Sequence, residues 1–154
     1  DGDGEGNPCD MDIDGDGDVD VVAPSCFPPF GSSELVFRND AGTLAQDPIA
    51  LPGPTADCDV GVHLFDVDRD GDLDVAFAGL TESLDLSVKL YVNRGDGTFV
   101  NASAYIPSFL GTTVQGTDFA SGDFDGDGDI DLALSAVSPF ATGGFGDLRL
   151  FLFE

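Results

Sequence analysis

Tryptophan is absent from this chain, tyrosine occurs twice, histidine and methionine once each, and only five residues are basic. Each shortage removes a class of function. With five Lys and Arg against 30 Asp and Glu, and a net charge of −25, the chain repels phosphate backbones and anionic lipid. Nucleic acid and membrane surfaces are therefore excluded as expected partners. No apolar run approaches the roughly 18 residues that a spanning helix needs. A Ser-His-Asp triad would depend on the single base His63, and Ser32, Ser33 and Ser121 stand in no elbow-like context. His63 reads instead as a strand residue, packed or hydrogen-bonded locally. Sugar sites are usually built on aromatic rings, and Tyr91 and Tyr105 offer little of that surface. The three cysteines, Cys9, Cys26 and Cys58, permit one disulfide and leave one thiol over. With no C-x-x-C pair, zinc and redox readings are weak. No segment carries a 3.6-residue apolar period, so helices are not expected.

What the chain has in abundance is aspartate, and it is patterned. The stretch Asp123-Phe124-Asp125-Gly126-Asp127-Gly128-Asp129-Ile130-Asp131-Leu132-Ala133-Leu134 has counterparts starting at Asp12 and Asp66. Carboxylates fall at positions 1, 3, 5, 7 and 9 of each copy: Asp12, Asp14, Asp16, Asp18 and Asp20; Asp66, Asp68, Asp70, Asp72 and Asp74; Asp123, Asp125, Asp127, Asp129 and Asp131. Gly17, Gly71 or Gly128 stands at position 6, where a sharp turn needs a positive φ. Alternate residues of a tightly curled loop converge on one point, and hard oxygen ligands at that spacing suit Ca²⁺. About three ions are expected. An EF-hand would require Glu at position 12, where the chain has Ala23, Phe77 and Leu134. Position 9 is therefore expected to close the site, and position 7 to offer its backbone carbonyl with its side chain in water. Five like charges in nine residues, three times over, repel one another without a counter-ion.

A chain of 154 residues, 42% hydrophobic and with 13 Phe, can build one real core despite its charge. It opens at Asp1 without Met or a leader, as a processed or excerpted chain would. Extracellular calcium sites work at about 10⁻⁴ to 10⁻³ M, so an extracellular home is the consistent expectation.

Spacing of the loops sets the organisation. Their starts are 54 and then 57 residues apart, a period of one propeller blade or solenoid unit. A second landmark aligns without a gap, Glu34 to Leu44 on Lys89 to Phe99: an apolar strand, a polar glycine-containing turn and a further strand. In the third copy Arg149 to Phe153 holds that strand's place. Four short strands are expected per unit, in the middle copy Val60 to Phe65, Leu73 to Ala78, Ser87 to Asn93 and Phe99 to about Ile106. Runs such as Val75-Ala76-Phe77-Ala78 are apolar on both faces, as inner strands covered on two sides should be. Prolines from Pro28 to Pro139 punctuate the loops between.

The loop D-x-D-x-D-G-x-x-D with its apolar strand, followed by L-Y-V-N-x-G-D-G-T-F, resembles the FG-GAP (VCBS-type) repeat over residues 12 to 153. That resemblance implies an all-β fold of tandem four-stranded β-propeller-type blades, here fewer than three and so an incomplete ring. Carried over to this sequence, the calcium ligands are Asp12, Asp14, Asp16, the Asp18 carbonyl and Asp20, with the equivalent sets from Asp66 and Asp123. It also implies adhesion, recognition or scaffolding rather than a shared reaction. The opening D-G-D-G-E-G-N-P-C-D-M-D resembles a thrombospondin type 3 calcium repeat, in which Cys9 would be bridged and a further ion bound. The expected organisation is an acidic segment over 1–11 and repeats over approximately 12–59, 60–116 and 117–154.

Arg94-Gly95-Asp96 spells an integrin-recognition tripeptide, but its place at a hairpin tip explains it without adhesion. Clustered Asp residues held by metal make poor proton shuttles, so catalysis is not expected. Three functions remain: a calcium-rigidified structural module that self-associates into a filament, surface layer or larger propeller; an adhesion module for extracellular protein or glycan; and a non-catalytic domain of a larger secreted enzyme. The first copy lacks a strand before its loop and the third lacks its fourth strand, so head-to-tail assembly between copies is expected.

Overall fold

The computed structural model describes residues 11–26, 34–45, 49–52, 57–106, 115–137 and 148–153. Residues 1–10 of the thrombospondin-like segment, Cys9 among them, lie outside these. The described residues form strands, turns and one short 3-10 turn, with no α-helix among them. β1 (Val21–Ala23), β2 (Leu35–Phe37), β3 (Asn39–Asp40), β4 (Thr43–Leu44) and β5 (Ile49–Ala50) come from the first copy. The middle copy supplies β6 (Asp57–Phe65), β7 (Asp74–Thr81), β8 (Leu86–Asn93) and β9 (Phe99–Asn101). β10 (Gln115–Gly122), β11 (Asp131–Val137) and β12 (Leu148–Phe153) complete the third.

All pairings are antiparallel, and the sheets are open. Blade 2 is the meander β6-β7-β8-β9, blade 3 is β10-β11-β12, and blade 1 is β1-β2-β5 with the β3-β4 ribbon beside it. The fold is all-β with incomplete propeller-type blades, as expected. Alternation along β7 explains how the blades stack, because successive strand residues point to opposite faces. Val75 and Phe77 join Tyr91 against Ile13, Val36 and Leu51 of blade 1. Ala76 and Ala78 join Leu86, Val88 and Leu90 against Phe119, Leu132, Leu134 and Ala136 of blade 3. A strand apolar on both faces is thus a strand between two neighbours. The disulfide between Cys26 and Cys58 ties the segment after β1 to the start of β6.

Three expectations change. The gapless match of Glu34 to Leu44 on Lys89 to Phe99 is off by one residue along the strand. Val21 pairs with Phe37, Val75 with Tyr91 and Leu132 with Phe153, which makes Phe37, Tyr91 and Phe153 equivalent and puts Asn39 on Asn93. The turn then absorbs the difference: Asn39 pairs with Leu44 but Asn93 with Phe99, one residue further on. The first strand of blade 2 begins at Asp57, before the expected Val60, because a bulge lets pairing continue past it. The ladder skips Val60 in β6 and Thr117 in β10, two positions related by the repeat. Opposite the first bulge Gly79 is required, since a Cβ there would run into the Cys58 carbonyl. The last strand of blade 2 stops at Asn101 and not near Ile106. Asn101 Oδ1 accepts from Ser103 N, and Leu90 N donates to Ser103 Oγ, which turns the chain into the 3-10 segment Ser103–Tyr105.

Candidate metal centre

Each Asp-rich loop is held curled by its own backbone amides. Position 1 acts as the hub: Asp12 accepts from Gly15 N, Asp16 N and Gly17 N at 2.9, 3.1 and 2.9 Å, and Asp123 from Gly126 N and Gly128 N at 2.6 and 3.1 Å. Asp66 accepts from Gly71 N at 3.1 Å. Position 5 accepts from the position 7 amide in every copy, Asp16 from Asp18, Asp70 from Asp72 and Asp127 from Asp129. Gly17, Gly71 and Gly128 have φ of 91°, 98° and 100°, the left-handed conformation anticipated for position 6.

Position 9 locks the base of each loop. Asp20, Asp74 and Asp131 are almost fully buried, and each accepts from the position 2 amide: Ile13 N at 2.9 Å, Val67 N at 2.7 Å and Phe124 N at 2.8 Å. In the first two copies the second oxygen accepts from an asparagine amide 19 residues on, Asn39 at 2.7 Å and Asn93 at 2.8 Å. The side-chain amides of the same asparagines donate to the position 8 carbonyls, Val19 O and Leu73 O. These two residues were not singled out in the sequence; the signal was an Asn closing the strand that pairs with each loop's own strand. Position 7 is less uniform than expected. Asp129 stands in water, whereas Asp18 Oδ2 accepts from Ala41 N at 2.6 Å and Asp72 lies against Gly95 of the next turn.

Three sets of carboxylate oxygens converge within 4.8 Å of one another: Asp12, Asp14 and Asp20; Asp66, Asp68 and Asp70; Asp123, Asp125 and Asp127. Thus loop 1 gathers positions 1, 3 and 9, while loops 2 and 3 gather positions 1, 3 and 5. Asp14 Oδ1 and Asp66 Oδ1 are buried without a hydrogen-bond partner, an expensive state that a cation relieves. Burial and then the neighbours Asp16 and Asp20 push the Asp14 carboxyl up; burial and then Asp70, Asp66 and Asp68 do the same to Asp72. Burial pushes Asp74 up to about 6, against the two amides that it accepts. Carboxylates raised in this way favour positive charge nearby. An all-oxygen donor set without nitrogen or sulfur fits a hard divalent cation, Ca²⁺ before zinc or copper. A cleft of about 530 Å³ opens beside loop 1, between Asp14, Asp16 and the β3-β4 ribbon with Arg38 and Asp40.

The tripeptide is occupied in the fold. Asp96 Oδ1 accepts from Thr98 N and Thr98 Oγ1, and Gly95 and Gly97 have φ of 75° and 74°. His63 Nε2 lies 3.0 Å from Ser121 Oγ, and its ring is flanked by Phe65 and Phe119. Burial lowers its pKa, with Asp118 opposing. This is the locally bonded strand histidine that the sequence led us to expect.

A second buried polar group escaped the sequence. Lys89 Nζ lies 2.6 Å from Glu34 Oε1, 2.7 Å from Asp59 Oδ2 and 3.3 Å from Asp57 Oδ2, all buried between blades 1 and 2. A lone lysine inside the apolar run Leu86 to Val92 was its only trace.

No curated protein and no solved structure matches the chain. The FG-GAP-like repeat profile matches it twice, over residues 12–77 and 66–134. Each match starts at position 1 of an Asp-rich loop and runs on to the apolar strand after the next loop. Repeats of this kind often bind Ca²⁺, and all three carboxylate clusters lie within the matched residues. On that match, which spans most of its length, the chain belongs to the FG-GAP-like repeat family.

Proposed function

We propose that this chain is a non-catalytic, extracellular structural module, rigidified by calcium, whose open blade stack is completed head to tail by further copies of itself. One observation carries the reading. Val75, Phe77, Lys89 and Tyr91 form the face of blade 2 that blade 1 covers, and all four are buried. Their counterparts on blade 1 are Val21, Ala23, Leu35 and Phe37, an apolar face with Val21 41% exposed. At the other end, Ala133 and Ser135 of blade 3 correspond to Ala76 and Ala78, whose side blade 3 covers in blade 2. Each end therefore offers one half of a contact that the chain makes twice internally. A contact between unlike surfaces closes into a ring or runs on as a filament. We favour the filament, because the loop spacings of 54 and 57 residues depart from strict ring periodicity.

Calcium supports the same reading in two ways. Three divalent ions would cancel six of the 25 net negative charges that keep copies apart. Binding to the native state alone stabilises it by about 2.7 kcal/mol per site at a hundredfold excess over Kd. The Cys26–Cys58 disulfide fits an oxidising, extracellular compartment. The cleft beside loop 1 favours a second reading, an adhesion or ligand-binding module.

Sedimentation in millimolar Ca²⁺ tests the proposal. The chain at micromolar concentration should run well above its 15.9 kDa and fall back on chelation. Val21→Glu on this part-exposed face should keep the fold and abolish assembly. A folded 15.9 kDa monomer in Ca²⁺ would refute self-assembly and put the binding module first.

A further inference from the structure

The turn after β8 touches two cation loops at once. Asn93 Nδ2 donates to Ile13 O of loop 1 at 2.8 Å and to Leu73 O of loop 2 at 3.3 Å. Its backbone amide donates to Asp74 Oδ1 of loop 2 at 2.8 Å, and its Oδ1 accepts from Arg94 N and Gly95 N at 2.8 and 3.2 Å. Asn93 is itself buried, so these bonds are shielded from water. The glycines that follow complete the wedge. A Cβ on Gly97 would come within 3.0 Å of Asp14 Cβ in loop 1, and a Cβ on Gly95 would strike the Asp72 carboxylate of loop 2. The turn from Arg94 to Thr98 is thus a spacer with one flank on Asp14, a member of the loop 1 carboxylate cluster, and the other on Asp72 of loop 2. Among the described residues the contact between loops 2 and 3 is of another kind, an ion pair of Arg69 with Asp129 at 3.9 Å, with side chains 49% and 88% exposed. A pair so exposed transmits little.

We propose that Asn93 and the turn 94–98 make loops 1 and 2 a single cooperative unit for two calcium ions, while loop 3 binds its ion independently. The proposal rests on the calcium reading above. Curling either loop around an ion fixes Ile13 O or Asp74, and through Asn93 it sets the side of the turn that abuts the other loop. The second ion then meets a loop whose ordering cost has already been met. Coupling of this kind runs from about fivefold upward in affinity.

Calorimetric Ca²⁺ titration of paired variants reads this directly. In Asp123→Ala, loops 1 and 2 remain, and two ions should bind with a Hill slope of about 1.4 or more, the value for a fivefold coupling. In Asp12→Ala, loops 2 and 3 remain, and two ions should bind with a slope of 1. Adding Asn93→Ala to Asp123→Ala should bring its slope to 1. A slope of 1 in Asp123→Ala with two ions bound would overturn the coupling and leave the calcium reading intact. No binding by any chain would overturn the calcium reading and the coupling with it. The first two variants leave Asn93 in place, so the comparison stands even where Asn93→Ala does not fold.

Discussion

Blade 2 meets its two neighbours through different chemistry. Towards blade 3 it presents Ala76, Ala78, Leu86, Val88 and Leu90 to Phe119, Leu132, Leu134 and Ala136, a dry apolar contact with the His63–Ser121 bond at its margin. Towards blade 1 the apolar contact of Val75, Phe77 and Tyr91 with Ile13, Val36 and Leu51 also encloses Lys89 among Glu34, Asp57 and Asp59, with Ser87 Oγ donating to Asp57 at 2.6 Å. One ammonium serves three buried carboxylates there, and both Asp59 Oδ1 and Tyr91 OH lack a partner. Burial, followed by the Glu34 carboxyl, pushes Asp59 up to about 8 against the pull of Lys89. Glu34 moves down: burial opposes this, but bonds from Asp59 and Lys89 outweigh it. Burial alone would depress Lys89, yet Asp59 and Glu34 hold it above the usual lysine range. Of the two carboxyls, Asp59 is therefore the one that holds a proton more readily, beside a buried ammonium. An apolar contact is forgiving of slight shifts, whereas a buried ionic one is satisfied in few geometries. The blade 1 contact thus carries a geometric demand, the satisfaction of Lys89 and its carboxylates, that the apolar contact with blade 3 lacks.

The sharpest way to break the contrast is to remove one member from each face. Lys89→Met strands three carboxylates and should cost about 3–5 kcal/mol in urea denaturation. Leu134→Ala opens a cavity and should cost roughly 2–5 kcal/mol. The two differ in pH response. Relative to the parent chain, the Lys89 variant should recover part of its deficit in acid, as its stranded carboxylates take up protons, whereas the deficit of the Leu134 variant should stay constant. Equal pH profiles for the two would refute the ionic account of the first face.

A smaller effect isolates the Asp59 proton. The folded pKa of Asp59 is about 8 against an ordinary 3.8, so its contribution to stability is complete below about pH 4 and is lost as pH rises through 8. Glu34, lowered, acts oppositely at the acid end. Thermal melts in chelator should therefore fall between pH 5 and pH 9. Asp59→Asn, which cannot ionise, should flatten part of that slope. An identical slope in the variant would show that the proton resides elsewhere.

The smallest effect lies at the margin of the apolar face. Ser121→Ala removes the 3.0 Å bond to His63 and should cost about 0.5–1.5 kcal/mol by the same denaturation assay. A loss above 3 kcal/mol would mean that this pair anchors blade 3.

The sequence by itself determined the three loops, the β-strands after them and the presence of blades, because the carboxylate spacing and two-sided apolar runs such as Val75 to Ala78 are local patterns whose physics needs no partner. It also foretold the glycine at position 6, which a positive φ requires. Strand register was beyond its reach: a one-residue difference in turn length between Asn39–Leu44 and Asn93–Phe99 leaves the sequence landmarks aligned while moving every strand position by one. The bulges at Val60 and Thr117 were hidden for the same reason, since pairing is a property of two strands. Tertiary structure alone decided that Lys89 faces Glu34 across 55 residues and that Asn93 reaches Ile13 across 80. Those contacts arise from the stacking of whole blades, in which a side chain's environment is set by residues of the neighbouring unit and not by those beside it in the chain.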